Sequence, residues 1–328
     1  MCNQRFPRLS IRQIKDLYHY IWKTSGRSQV ILSIVSVSLF VLELAPLELQ
    51  RRVVNAAVDQ QRFAVIALLC LLYVVVALVH GGLKLFMNVY QASVSESASR
   101  RLRLETNLIP RVPSEKEDRP KDEGIAISII VSEVDAVGGF IGASFSGPLL
   151  NGGILLSVFG YMIFIQPLMA LVAFLVFCPQ VLFIPLLQRA INRRTKLRIE
   201  TLRALSIAIV DEAAERAPRN EETYRHRVRD VYQLNMQIFR RKFSMNFLMN
   251  LLHHLGIIGI LSVSGWLLLH GETEVGTVVA FISGLNRMND PWGDLVNYFR
   301  DVTNAGVKFG LITQALHKGP VASVVSAK

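Results

Sequence analysis

Long apolar runs dominate the pattern of hydrophobic and polar positions along the chain. Five of them approach or exceed the length of a membrane-crossing helix, and they cover residues 29–47, 63–79, 137–165, 168–187 and 246–269. The hydrocarbon core of a bilayer is about 30 Å thick, so a helix needs about 20 apolar residues to cross it. A sixth run, 274–289, is shorter and carries Arg287, which makes it the weakest of the six. The pattern predicts an all-α polytopic membrane protein with six transmembrane helices.

Two polar segments between these runs are unusually long and cover residues 91–136 and 188–245. Loops without secondary structure rarely exceed about 15 residues, so both segments are expected to contain helices of their own. Prolines mark the breaks, three of them between residues 110 and 120 and one at Pro218. The segments therefore predict two long cytoplasmic helical hairpins that continue the transmembrane helices.

The charge distribution fixes the expected orientation. The chain has 328 residues, 36 Lys and Arg, and a net charge of +11, which is compatible with nucleic-acid binding or with basic cytoplasmic loops. All but three of these cations lie in or beside alternate segments, the exceptions being Arg51, Arg52 and Arg62. This positive-inside pattern predicts that both termini are cytoplasmic and excludes a nucleic-acid partner. The expected domains are a basic N-terminal arm at 1–28, a membrane domain at 29–315 and a C-terminal tail at 316–328.

Several polar residues inside the apolar runs are candidates for a substrate cavity. Glu43 either is hydrated near the outer surface beside Pro46, or lines a polar translocation cavity or carries a proton, because an acid in hydrocarbon is costly. Arg287 is expected to face an aqueous cavity or to pair with an acid, for which Glu43 is a candidate. The set also includes Asn286, Asp290, His253 and His254. The two histidines are either helix–helix hydrogen-bonding groups or proton relays.

Other residues favour packing over chemistry. The glycines of the third run are expected to permit close helix contact, and they are Gly138, Gly139, Gly142, Gly147, Gly152, Gly153 and Gly160. The three cysteines have no metal-ligand spacing, and no nucleophile–base–acid arrangement is visible. We therefore expect no metal site and no enzymatic activity in this chain alone.

Ordered local motifs resemble the transmembrane domain of exporter-type ABC transporters. Gly124 is followed after nine residues by Glu133-Val134-Asp135, and Pro46 is followed by Arg51-Arg52-Val53-Val54-Asn55. Residues 271–281 read GETEVGTVVAF, with Pro291 ten residues on. Together with the six-run layout and the short outer turns, these motifs resemble the family over residues 30–315.

The resemblance implies a bacterial cytoplasmic-membrane subunit that pairs with a second copy or with a similar chain. It also implies a separate ATPase subunit, which would hold ATP and magnesium, since the chain has no G-x-x-x-x-G-K-[ST] motif and is expected to bind no cofactor itself. The ATPase would contact the hairpin tips at Pro110, Arg111 and Pro113 and at Arg216, Pro218 and Arg219. Two departures weaken that contact: Ile129 replaces the family's arginine, and the second tip is wholly polar.

Three functions remain open at this point. The first is a permease subunit that works with a separate ATPase by alternating access. The second is a proton-coupled permease, similar to peptide-uptake permeases that have an exporter-like membrane domain without an ATPase. The third is a non-transporting membrane scaffold or a decayed half-transporter.

Overall fold

A computed structural model describes residues 11–107, 133–213 and 221–318. Every regular element in these residues is helical, which confirms the all-α prediction. The seven helices are α1 (Ile11–Leu42), α2 (Leu44–Val58), α3 (Phe63–Asn107), α4 (Ser146–Ile165), α5 (Pro167–Ala213), α6 (Glu221–Leu269) and α7 (Val275–Lys318). Residues 133–143 are also helical and lead into α4 through a turn at 144–145.

Five helical segments of the described chain are long and apolar enough to cross a membrane. They are Ile14–Val58, Phe63–Glu105, Ser146–Ile165, Pro167–Ser206 and Glu221–Leu269. The finding indicates an integral membrane protein. The sixth expected span lies in α7, which is not among these five segments because polar residues interrupt its apolar stretch after Leu285.

α1 begins at Ile11 and bends at Ser25, where φ is −133° and ψ is 22°. The expected boundary between the basic arm and the membrane domain at residue 28 stays a prediction. The breaks expected between residues 110 and 120 and at Pro218 lie outside the described residues.

A one-residue break at Glu43 separates α1 from α2. Pro46 explains the position of the break, because proline has no N–H to donate to the Leu42 carbonyl and its ring crowds that carbonyl. The chain nevertheless continues in nearly the same direction, since the Glu43 N–H still donates to the Leu39 carbonyl over 3.0 Å. Glu43 is thus held at a discontinuity between two helices.

The chain divides into two compact units, Met1–Tyr161 with Val275–Lys328, and Met162–Glu274. In the first unit, α1, α3, residues 133–143 and α7 share one apolar core that includes Leu32, Leu102, Ile141 and Phe309. In the second unit, α5 and α6 pack side by side and antiparallel. Arg194 Nε donates to Gln237 Oε1 over 2.6 Å, and Arg227 Nη1 donates to the Ala204 carbonyl over 2.9 Å.

Close helix contact explains three of the glycines of the third run and leaves three unexplained. A Cβ on Gly142 would lie 2.4 Å from the Gln91 carbonyl oxygen, and Gly138 and Gly153 are similarly crowded by Ser99 and Phe40. By contrast, a Cβ would meet nothing within 4 Å at Gly139, Gly152 and Gly160. Gly147 makes only ordinary contacts, so the packing prediction is confirmed for part of the set.

Candidate functional site: a polar cavity along α7

A cavity of about 960 Å³ lies within the first unit. One face of α7 forms its longest wall, with lining residues at 287, 290, 291, 294, 297, 298, 301, 304, 305 and 308. These positions repeat at intervals of three and four residues, which is the spacing of one helical face. The last position is 21 residues after the first, so the wall is about 32 Å long at 1.5 Å per residue.

The opposite walls combine polar and apolar side chains. On α3, the lining positions 80, 84, 87, 88 and 91 again follow one helical face. The apolar part comes from α1, from residues 136–143 and from α4, and it includes Leu39, Phe140, Leu150 and Ile154. The cavity therefore offers both a charged stripe and an apolar surface to a guest molecule.

A charged cluster closes one end of the cavity. The Arg287 guanidinium donates to Glu43 Oε1, and His80 Nε2 lies 2.8 Å from Glu43 Oε2. The side chain of Glu43 is only 13% exposed, against 24% for His80 and 27% for Arg287. The carboxylate is the most buried group, so it depends on both partners for its hydrogen bonds.

Glu43 and His80 lie well inside two of the candidate membrane-spanning segments, Ile14–Val58 and Phe63–Glu105. Glu43 is 15 residues from the end of α2, His80 is 17 residues from the start of α3, and Arg287 is 12 residues from the start of α7. At 1.5 Å per residue these separations are about 18 to 26 Å along the helix axes. The break between α1 and α2, together with α3 and α7, thus places one carboxylate and two basic side chains at similar depths.

The middle of the cavity carries charges with fewer direct partners. Asp290 and Asp294 are exposed on adjacent turns of α7, and neither forms a salt bridge with another described residue. Lys84 on α3 interacts electrostatically with Asp294. Further along, Asp301 Oδ1 lies 3.5 Å from the Nε of its neighbour Arg300. The stripe therefore has more accessible acids than bases in its central part.

Midway along the wall, hydrogen bonds join α1, α7 and the turn before α4. The hydroxyls of Tyr18 and Tyr298 share a short hydrogen bond, and Tyr298 also donates to the Ser144 carbonyl over 2.6 Å. Lys308 lies at the far end of the wall and interacts with Glu133, whose pKa is raised above its ordinary value by partial burial and lowered again in part by Lys308. The middle of the wall is therefore fixed by hydrogen bonds between the three elements.

The structure brings together only part of the residue set expected from the sequence. Glu43, Arg287 and Asp290 line the cavity, and the suggested contact between Glu43 and Arg287 is present. Asn286 is exposed and is not a lining residue. His253 and His254 belong to the second unit, where their rings are 5.8 Å apart. The hairpin-tip residues Pro110, Arg111, Pro113, Arg216, Pro218 and Arg219 lie outside the described residues.

Six charged or titratable lining residues were not expected from the sequence: His80, Lys84, Asp294, Tyr298, Asp301 and Lys308. Lys84 marks the inner end of the second predicted span, and His80 directly follows the apolar run of that span. The α7 residues carried a detectable signal, because polar positions repeat with helical spacing from residue 287 to residue 308. Most of that signal lies beyond residue 289, where the sixth apolar run ends.

The arrangement favours binding and proton exchange over covalent chemistry. Among the residues that the structure describes, no group of three or more His, Cys, Asp or Glu side chains could hold a metal ion. The cavity instead offers carboxylates, cationic groups and amides along one stripe, which can bind polar groups of a guest molecule. No protein-family model matches the chain, and no curated protein matches it significantly.

Proposed function

We propose that the chain is the membrane permease subunit of a transporter that moves its substrate through the α7 cavity by alternating access. The cavity itself carries the proposal, because its charged residues from Arg287 to Asp294 lie about 18 to 29 Å along α7, a depth at which charges are costly in a membrane unless they line an aqueous path. Its volume of about 960 Å³ is enough for a small organic molecule or a short peptide. A scaffold protein has no need of such a path.

A separate ATPase subunit is the proposed energy source. The resemblance of the motifs to exporter-type ABC transporters supports it, as does the absence of a Walker motif from the sequence. One contact in the structure is consistent with that resemblance, because two of the motifs meet in it. The Gly276 N–H donates to Asn55 Oδ1 over 2.7 Å, which joins the start of α7 to α2. Two such membrane subunits would enclose the substrate path.

Thiol accessibility tests both the path and its energy source. In a chain whose three cysteines are replaced by serine, Asn297→Cys places a thiol on the cavity face of α7. Phe299→Cys places a matched thiol on the opposite face, where Phe299 is 69% exposed. We expect a membrane-impermeant maleimide to label Asn297→Cys at least tenfold faster, and ATP with the partner subunit to change that rate. Equal labelling of both variants would refute the aqueous path, and purification of an active transporter without any ATPase would refute the energy source.

A proton-coupled permease is the second candidate, and the Glu43 cluster favours it. A carboxylate between an arginine and a histidine can exchange a proton with His80 while Arg287 holds its position, and histidine is a common proton-exchanging side chain. Such a group inside a membrane is typical of proton-coupled transport.

The two candidates differ in what stops transport. Dissipating the proton gradient with ATP intact should abolish uptake by a proton-coupled permease and leave an ATPase-driven one active. Replacing Glu43 by Gln should have the same effect as the uncoupler only in the proton-coupled case. Unchanged transport after both treatments would eliminate the second candidate.

A further inference from the structure

The second unit carries a dense basic cluster that the proposed transport path does not use. It lies where α5 and α6 leave their apolar stretches, and it consists of Arg189, Arg193 and Arg194 on α5 and Arg240, Arg241 and Lys242 on α6. No acid occurs between Gln188 and Ile199 on α5 or between Val231 and Leu269 on α6. The cluster therefore has no anionic partner within its own stretches of the two helices. We refer to these six residues as the basic cluster.

Packing of the two helices brings three of these like charges together, those of Arg193, Arg194 and Arg241. Arg194 donates to Gln237 Oε1 over 2.6 Å, which places its guanidinium against α6. There the positive charges of Arg241 and Arg193 are close enough to interact with that of Arg194. In addition, Nη1 of Arg241 is buried and has no hydrogen-bond partner among the described residues. Clustered guanidinium groups are the arrangement that binds a phosphate group.

The distance of the basic cluster from the start of α5 places it at the level of lipid headgroups. Arg189 to Arg194 lie 22 to 27 residues from the start of α5, which corresponds to about 33–41 Å along the helix. The hydrocarbon core of a bilayer is about 30 Å thick and the headgroup regions extend it to about 40–45 Å. Helices that begin at one membrane surface therefore bring the cluster to the opposite headgroup layer.

Exposed aromatic residues beside the basic cluster give independent support for this level. Phe239, Phe243 and Phe247 are spaced four residues apart on α6 and are 45%, 62% and 67% exposed. The rings of Phe239 and Phe243 stack with their centres 6.1 Å apart. Large exposed apolar side chains next to arginines are stable where hydrocarbon meets headgroups, because each group then has a suitable solvent.

We propose that the basic cluster on α5 and α6 binds the phosphate headgroup of an anionic phospholipid, with the exposed phenylalanines against its acyl chains. The phosphodiester oxygens accept hydrogen bonds from the guanidinium groups and neutralise their mutual repulsion. This site is independent of the α7 cavity, so the lipid is a bound component of the protein and not its transported substrate.

Native mass spectrometry of the purified full chain in an uncharged detergent tests the site with phosphatidylglycerol and phosphatidylcholine as probes. The wild-type chain should retain phosphatidylglycerol in preference to phosphatidylcholine. The double variant Arg194→Gln/Arg241→Gln should bind phosphatidylglycerol about 30-fold more weakly, since each cation near an anionic lipid surface contributes roughly fivefold to binding. Circular dichroism establishes whether this variant remains folded, and Arg194→Lys/Arg241→Lys should recover part of the binding.

A matched control removes two charges elsewhere on the same hairpin. Arg225→Gln/Arg229→Gln changes the net charge equally, at exposed positions of α6 far from the basic cluster, and should change phosphatidylglycerol binding less than twofold. Equal retention of both lipids, or equal losses in the two double variants, would overturn the proposal. So would competition by millimolar inorganic phosphate, which would assign the site to free phosphate, or displacement of the lipid by an RNA oligonucleotide.

Discussion

Removing Arg287 tests whether the buried ion pair with Glu43 holds α7 to the break between α1 and α2. The substitution Arg287→Gln leaves the more buried partner, a carboxylate whose side chain is 13% exposed, with His80 as its remaining contact. Breaking a fully buried pair costs about 3–5 kcal/mol, and an exposed pair contributes about 0.2–1 kcal/mol. Since this pair faces a polar cavity, we expect an intermediate loss of about 2 kcal/mol.

The corresponding shift is measurable by thermal unfolding of the purified chain in detergent. An unfolding entropy of about 2.1 cal/mol/K per residue converts a loss of 2 kcal/mol in 328 residues to a fall of about 3 °C in Tm. Glu43→Gln should cost less, because it leaves a 27% exposed arginine that water can reach. The double variant should lose clearly less stability than the sum of the two single losses, since it leaves neither partner of the ion pair unpaired.

An exposed pair on the second unit serves as the control for this cycle. Arg225 lies 2.9 Å from Glu221 with side chains 75% and 65% exposed, and Arg225→Gln should leave Tm unchanged within 1 °C. If the Glu43 and Arg287 losses simply add in the double variant, the two side chains are not coupled. The reasoning from burial would then be refuted.

Two further predictions concern packing and hydrogen bonding in the first unit. Gly142→Ala should lower Tm by several degrees, because its Cβ would lie 2.4 Å from the Gln91 carbonyl oxygen. Gly139→Ala is the matched control: its Cβ meets nothing within 4 Å, so Tm should stay unchanged or rise. Tyr161→Phe removes the 2.8 Å hydrogen bond to Glu48 and should lower the free energy of unfolding by about 1.5–3 kcal/mol, measured by thermal unfolding. A loss below about 0.5 kcal/mol would contradict the stabilising role of this bond.

The sequence alone predicted the helical fold class and most of the membrane-spanning segments. Apolar runs of about 20 residues require burial in lipid and internal hydrogen bonding, and both requirements are local properties of a helix. The cost of a charge in hydrocarbon also singled out Glu43 and Arg287 before their contact was known. By contrast, His80 stands at the edge of an apolar run and carries no local signal of its role.

Tertiary structure alone decided which side chains share the cavity. The polar face of α7 becomes a wall only because α1, α3 and the segment before α4 pack around it, and sequence spacing does not specify which faces of distant helices meet. The same holds for the glycines of the third run: Gly138 and Gly142 allow close approach of α3, while Gly139, beside them, faces the cavity. A single sequence fixes the period of each helix, but the rotation of one helix against another depends on the packing of the whole unit.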